Sequence, residues 1–396
     1  LTVFNRGIDG LSEHRATQGL SDQTRTIGGI VVHTSKIFRF RRFFLILSFF
    51  LLASCTAGRE AAPPPFLVWP LPPDPPRISY VMSIHQAKDI GVRASFFKKV
   101  VTFLFGSQVT PQIIRPMGIA VDGRGRLYVT DTGLQVVHLF DFANRSYRQI
   151  FWLVPSGPAR LQNPIGVAVD GDDRIYVSDS VLNRIYVFDQ KGSLLRTIGN
   201  DQEIERVSGI AIDAKRGILY AVDTSGHRLV VYDLSGKKIR EIGHRGKGAG
   251  EFNFPTYVTV DRAGNVYVSD SLNFRVQIFS PEGKFLHAFG QLGNTLGTFS
   301  RPKGIAVDGE EHIYVVDGLY DTVQIFDLEG KLLLNFGRSG GKPGEFWLPA
   351  GIAIDPTEKI FVADSYNQRV QVFQFQGEKK GGSGGQGTAP GEEKKG

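Results

Sequence analysis

One cysteine and two methionines occur in 396 residues. With Cys55 alone, no internal disulfide, zinc knuckle or Cys-x-x-Cys redox site can form. No His-Glu-x-x-His, P-loop or Rossmann glycine signature stands out, nor a Gly-x-Ser-x-Gly set between a strand and a helix, so metalloprotease, nucleotide-dependent and α/β-hydrolase chemistry lack their usual carriers. No apolar run reaches the ~20 residues of a spanning helix, and the run from Phe43 to Ala53 is about half of that. Long helical periodicity is missing as well. What is plentiful is glycine (47) and phenylalanine (29), which suits many short strands joined by tight turns.

The formal charge of +7 and the pI of about 9.3 suggest a basic protein, but the charge is unevenly placed. Much of the excess lies ahead of Cys55, and the rest of the chain is close to balanced. A basic footprint for nucleic acid is therefore lacking, and no nucleic-acid partner is expected.

Arg39, Arg41 and Arg42 precede the Phe43–Ala53 run, and Leu52-Ala53-Ser54-Cys55 follows. A positive segment before a short apolar one reads as a signal peptide. The four residues ending at Cys55 resemble the lipobox of bacterial lipoproteins. That resemblance implies removal of residues 1–54 (an upstream extension plus the signal peptide) and a lipidated Cys55 carrying several acyl chains. At ~0.8 kcal/mol per buried methylene, two or more chains anchor stably. The expected location is the cell envelope, lipid-anchored at the outer membrane or the periplasmic face of the inner one, with the membrane itself as a partner. Thr56 rather than Asp after the cysteine points to the outer membrane, by resemblance to enteric sorting rules. Residues 55–76, with Pro63, Pro64, Pro65, Pro70, Pro72, Pro73, Pro75 and Pro76, read as a stiff polyproline spacer. Residues 377–396, rich in Gly, Lys and Glu, have nothing to bury and read as a disordered tail.

Between these ends one pattern recurs: PMGIAVDGRGRLYVTD from Pro116, PIGVAVDGDDRIYVSD from Pro164, SGIAIDAKRGILYAVD from Ser208, PTYVTVDRAGNVYVSD from Pro255, PKGIAVDGEEHIYVVD from Pro302 and PAGIAIDPTEKIFVAD from Pro349. The marker position falls at Gly118, Gly166, Gly209, Tyr257, Gly304 and Gly351. A period in the forties signals a propeller or solenoid. Each unit holds two short apolar runs that end in Asp and a third that alternates, as in Val276-Gln277-Ile278-Phe279, and four units add a fourth that ends in Gly, at Gly199, Gly243, Gly290 and Gly337. That is one four-stranded blade.

The connections repeat too: GHRGKGAGEFNFP, GQLGNTLGTFSRP and GRSGGKPGEFWLP, with Phe252, Phe299 and Phe346 three residues ahead of Pro255, Pro302 and Pro349. The Gly-rich linker, the Phe-x-x-Pro, the Gly-Ile-Ala-Val-Asp run and the Asp-Ser-x-Asn-x-Arg-Val motif together resemble the NHL-repeat family over about residues 116–375. The resemblance implies an all-β, six-bladed propeller with four-stranded blades over residues 77–376. It further implies that Asp179 with Arg184, Asp223 with Arg228, Asp270 with Arg275 and Asp364 with Arg369 hold blades together. Blades 1 and 5 depart from the motif, with Val136 and Thr322 in place of the Arg.

The sixth unit stops after its third strand, near Phe375. Residues 77–84 (RISYVMSI) have the look of the missing strand, and such an N-terminal closure removes two open edges. On this reading residues 95–105 form a short amphipathic helix in an insert, while a rival reading makes Val100–Phe105 the closing strand.

The repeated first-run aspartates (122, 170, 213, 261, 308, 355) precede turns, where Asp accepts backbone N–H bonds, so they read as structural rather than as metal ligands. His85, His138, His227, His244, His287 and His312 avoid the innermost strands, whereas related propeller lyases and lactonases hold metal through residues there and in the adjoining loops. No metal and no cofactor are expected, and His227 and His244 approach the loop face. That face gathers the linkers and the loops between second and third strands. It brings together Arg115, Arg160, Arg245, Lys247, Arg301, Arg338 and Lys342 with Phe254 and Trp347, a basic and aromatic rim. The expected function is a monomeric, lipid-anchored binding or scaffold module that recognises a protein, peptide or glycan through this face. A metal-dependent lyase or lactonase is the alternative, and no catalytic residue is assigned.

Overall fold

The computed structural model describes residues 66–92, 112–151 and 160–377, all within the compact unit Pro63–Gly396. Six antiparallel sheets stand around a central channel lined by their first strands. Five sheets have four strands, each in chain order from the channel outward. The sixth takes Ile352–Ile354, Lys359–Asp364 and Arg369–Phe375 from the C-terminal end and Ile78–Ile84 from the N-terminal end. Ile78 pairs with Phe375 and Ile84 with Val370, so the expected N-terminal closure is present. The proposed helix over 95–105 and the rival strand at Val100–Phe105 lie outside the described residues, as do Cys55 and the residues after 377.

The Pro-rich segment contributes more than a spacer. Val68–Trp69 forms a fifth strand on the outer edge of Ile78–Ile84, and Trp69 packs edge-on to Phe373. A two-residue strand among prolines carries no readable alternation, so the sequence places this boundary too late. Among the described residues no helix is long and apolar enough to cross a membrane.

The repeat signature explains itself in contacts. A Cβ at Gly118 would run into the Ile165 carbonyl of the next blade, and one at Gly351 into the Met117 carbonyl. Glycine lets neighbouring first strands approach, which narrows the ring. The hydroxyl ahead of the second-strand Asp donates across the same gap: Thr130 to Ile165 O (2.8 Å), Ser178 to Ser208 O, and Ser269 to Lys303 O (2.5 Å). The hydroxyl after that Asp makes a second row, Thr224 to Pro255 O (2.8 Å) and Ser271 to Pro302 O (2.6 Å). Ser365 closes the circle by donating to Pro116 O at 2.6 Å, across 249 residues of chain. The linker aromatics Phe252, Phe299 and Phe346 are fully buried beneath Gly243, Gly290 and Gly337, whose φ values of 83°, 98° and 86° call for glycine. Burying each such ring stabilises by roughly 2–3 kcal/mol.

Candidate functional site

The two ends of the channel differ in the chemistry of the side chains that reach them. On the turn face, Asp122, Asp261, Asp308, Asp355 and Glu358 line the mouth beside Arg262. The aspartates are fully engaged in their own turns. Asp308 accepts the Glu310 and His312 N–H groups (2.9 Å each), the His312 ring (2.8 Å) and the Tyr314 hydroxyl (3.0 Å). Asp122 is bound in the same way by Arg124 N–H, Arg126 and Tyr128. Burial alone would raise the Asp308 carboxyl, but the His312 bonds hold it below the ordinary range, and the same contact raises His312. No group of three or more His, Cys, Asp or Glu residues suited to a metal ion occurs among the described residues.

On the loop face the mouth opens into a cavity of about 700 Å³, lined by Arg115, Arg206, Arg301 and Lys303 and by no carboxylate. Three of these cations flank the proline that starts a first strand: Arg115 and Arg301 precede Pro116 and Pro302, and Lys303 follows Pro302. Arg206 precedes Val207, which stands in the place of that proline. Among the described residues the Arg206, Arg301 and Lys303 side chains make no hydrogen bond or ion pair. The Arg115 guanidinium lies 5.5 Å above the Tyr366 ring, and Tyr366 packs against the exposed Trp347. Lys303 lies against Gly318, the one blade position where glycine replaces the ring-closing hydroxyl, and a Cβ there would meet its side chain. Burial and the neighbouring Arg301 lower its ammonium below the ordinary lysine range, against the pull of Asp317 and Asp321.

Apolar tips surround these charges. Val181, Leu272, Leu319 and Tyr366 occupy the same turn position in four blades and are exposed. Phe254 and Leu348 line the mouth in left-handed backbone conformation, φ 50° and 48°. Each is pinned by the preceding blade, Phe254 N–H donating to His227 Nδ1 (3.2 Å) and Leu348 N–H to Asp321 Oδ1 (2.7 Å). Non-glycine residues held this way are strained, and such strain clusters at binding sites. His227 is thus a structural acceptor packed on Phe254. Tyr257 replaces the marker glycine and stands where the mouth meets the channel, and its hydroxyl is buried with no hydrogen-bond partner.

Of the nine rim residues expected from sequence, the mouth gathers Arg115, Phe254 and Arg301. Arg160, Arg245, Lys247, Arg338, Lys342 and Trp347 are exposed and lie outside that cavity. Arg338 is engaged by Glu345 at 2.9 Å, and Arg160 donates to Leu134 O. His244 pairs with Glu251, in the linker. The sequence reading missed Arg206, Lys303 and Tyr257. They are legible only when the six repeats are stacked and the columns beside the proline are read together.

The paired acid and base of the motif meet in three blades, where the Arg also reaches a linker carbonyl. Arg228, Arg275 and Arg369 contact Asp223 (3.2 Å), Asp270 (2.9 Å) and Asp364 (2.7 Å). Arg369 also donates to the Lys342 and Glu345 carbonyls, and Gln371 adds bonds to Glu345 O and Asp364. In blade 2 the expected pair is absent. Asp179 is taken by the N–H groups of Gln162, Asn163, Val181 and Leu182, and Arg184 turns outward to Asp201 at 2.8 Å. Blade 1 replaces the Arg by a different donor: buried His138 contacts Asp131 at 3.1 Å.

Similarity to known proteins agrees with this architecture. A family model described as a 6-bladed beta-propeller matches residues 162–241, 200–266 and 262–333, and one for the NHL repeat matches 346–373. No curated protein sequence matches the chain. Among solved structures, a Bacteroides thetaiotaomicron protein of unknown function is 17% identical, with TM-score 0.55 over 76% of both chains. An auxiliary nutrient binding protein from the same organism is 14% identical, with TM-score 0.52 over 66% of this chain and 69% of that one. A streptogramin B lyase is 14% identical, with TM-score 0.50 over 66% of this chain and 93% of that one. At such identities the likeness establishes the fold alone.

Proposed function

We propose that this NHL-type propeller is a lipid-anchored extracytoplasmic binding module that takes up a protein, peptide or glycan partner through its loop face. The observation that carries the reading is the loop-face mouth, where unpaired cations and exposed apolar tips converge on one cavity. A rigid ring can present such a surface without any catalytic group. Neighbours of similar fold include one described as a nutrient binding protein and one described as a lyase, which is compatible with binding and keeps catalysis as the alternative. The anchor rests on the lipobox-like run that ends at Cys55.

Two experiments test the reading. Cys55→Ser should move the full chain from the membrane fraction to the soluble one, and unchanged membrane retention would remove the anchor. Leu272→Glu with Leu319→Glu should abolish co-purification of the partner from crosslinked envelopes. A partner that stays bound to this double variant, or a stoichiometric transition metal in the purified chain, would turn the assignment away from the loop face or toward a lyase or lactonase.

A further inference from the structure

The geometry points to an oxyanion site in the loop-face mouth: the cavity takes the carboxylate or phosphate of a small molecule between Lys303, Arg115, Arg206 and Arg301, with the Tyr257 hydroxyl as a donor at its floor. This inference rests on the loop face being the binding face and names what that face selects.

Three observations lead to it. First, four cations line the mouth without a single carboxylate among the described residues, although the protein beyond Cys55 is nearly neutral. The aspartates that end the second strands are already engaged: Asp131, Asp179 and Asp317 accept N–H groups of their own linkers, and Asp223, Asp270 and Asp364 also hold an Arg. Asp317 and Asp321 reach Lys303 only through space and make no ion pair with it, so Lys303 and Arg301 still repel, and an anion relieves that repulsion. Second, the Tyr257 hydroxyl is buried and unpartnered, at the junction of mouth and channel. Leaving a buried hydroxyl unmet is costly, and an acceptor oxygen is what it lacks. Third, the cavity of about 700 Å³ falls within the ~300–1,000 Å³ of small-molecule sites. Lys303 is the natural centre. It projects from a first strand, is half-buried, and has no bonded partner. The hydroxyls nearby donate to ring-closing carbonyls, as with Ser271 to Pro302 O and Ser365 to Pro116 O, and among the described residues none bonds Lys303.

Calorimetric titration of the full chain with citrate, inorganic phosphate and glucose tests this. The expected result is binding of at least one anion, none of glucose, and a loss of about tenfold or more in affinity for Lys303→Gln, with a smaller loss for Tyr257→Phe. Arg262→Gln, on the opposite mouth, should bind as the parent does. Citrate binding without phosphate would mark a carboxylate site, and the reverse a phosphate site. No heat with either anion, or binding that both mouth variants leave intact, overturns the proposal. If Lys303→Gln fails to fold, Arg301→Gln carries the same test, since its side chain is exposed and unbonded. Anion binding by the parent, with a macromolecular partner unaltered in the Leu272→Glu, Leu319→Glu variant, keeps this site and overturns the protein, peptide or glycan reading of the face. A partner lost from that variant while the parent binds no anion does the opposite.

Discussion

The two mouths of one channel show what charge can mean in a repeat protein. The turn mouth carries five acids and the loop mouth four bases. By count alone either could be a site. The aspartates of the turn mouth, however, are saturated by backbone N–H groups and side chains of their own blades, as Asp308 and Asp122 show. Among the described residues three of the bases of the loop mouth hold nothing. Charge repeated in every blade serves the fold, whereas charge that breaks the repeat, as Lys303 does among Met117, Ile165, Ser208, Thr256 and Ala350, is free for a ligand.

Breaking the turn mouth should therefore cost stability. Asp308→Ala leaves the Tyr314 hydroxyl and the His312 N–H without their acceptor and should lose about 3 kcal/mol in urea unfolding. A loss below about 1 kcal/mol would mean that the turn aspartates are less structural than their bonds indicate.

The pH dependence sharpens the same contrast. Asp308 is lowered, so its contribution is present above the ordinary carboxylate range and is lost as pH falls through its folded value. His312 is raised, so its contribution is full below about 6.5 and is lost as pH rises through its folded value. In Asp308→Ala the first slope should vanish and the second shrink, since Glu310 and Glu358 still act on His312. Lys303 behaves oppositely to His312. Because it is lowered, unfolding binds a proton between its folded value and about 10.4, and stability should rise with pH there. Lys303→Met should flatten that rise. Urea midpoints across pH 3 to 11 for parent and variants check all three signs.

Ser365 separates fold from function within the loop mouth. It lines the cavity, yet its hydroxyl is held by Pro116 O. Ser365→Ala should lose about 1 kcal/mol and leave anion binding unchanged. Smallest of all should be Arg206→Ala and Arg301→Ala, whose stability should stay within about 0.5 kcal/mol of the parent. A larger destabilisation would show that these arginines are bonded in solution.

What the sequence made legible follows from the same division. Features set by the ring as a whole were readable as patterns: the marker glycines recurred in five units, the Asp-Ser steps stood out within the repeat motif, and the 77–84 strand filled the sixth sheet, although the contacts that the glycines and hydroxyls make needed coordinates. Features set by one local competition were not. Arg184 faces Asp179 across the strands but finds Asp201 nearer, in a linker that departs from the other repeats. Val68–Trp69 pairs because Trp69 packs against Phe336 and Phe373, a contact no local pattern announces. Linker residues such as Arg245 and Lys247 share a face with the mouth without lining its cavity, and that distinction needs coordinates. The gathering of Arg115, Arg206, Arg301 and Lys303 needed the ring to bring four distant segments to one opening.

The most direct test compares the two mouths in one experiment. A photoactivatable side chain is placed at Leu319 on the loop mouth or at Pro356 on the turn mouth of the full chain, in its native envelope. Adducts with a partner should form from position 319 and not from position 356. Adducts from 356 alone, or equal yields from both, would contradict the assignment of binding to the loop face.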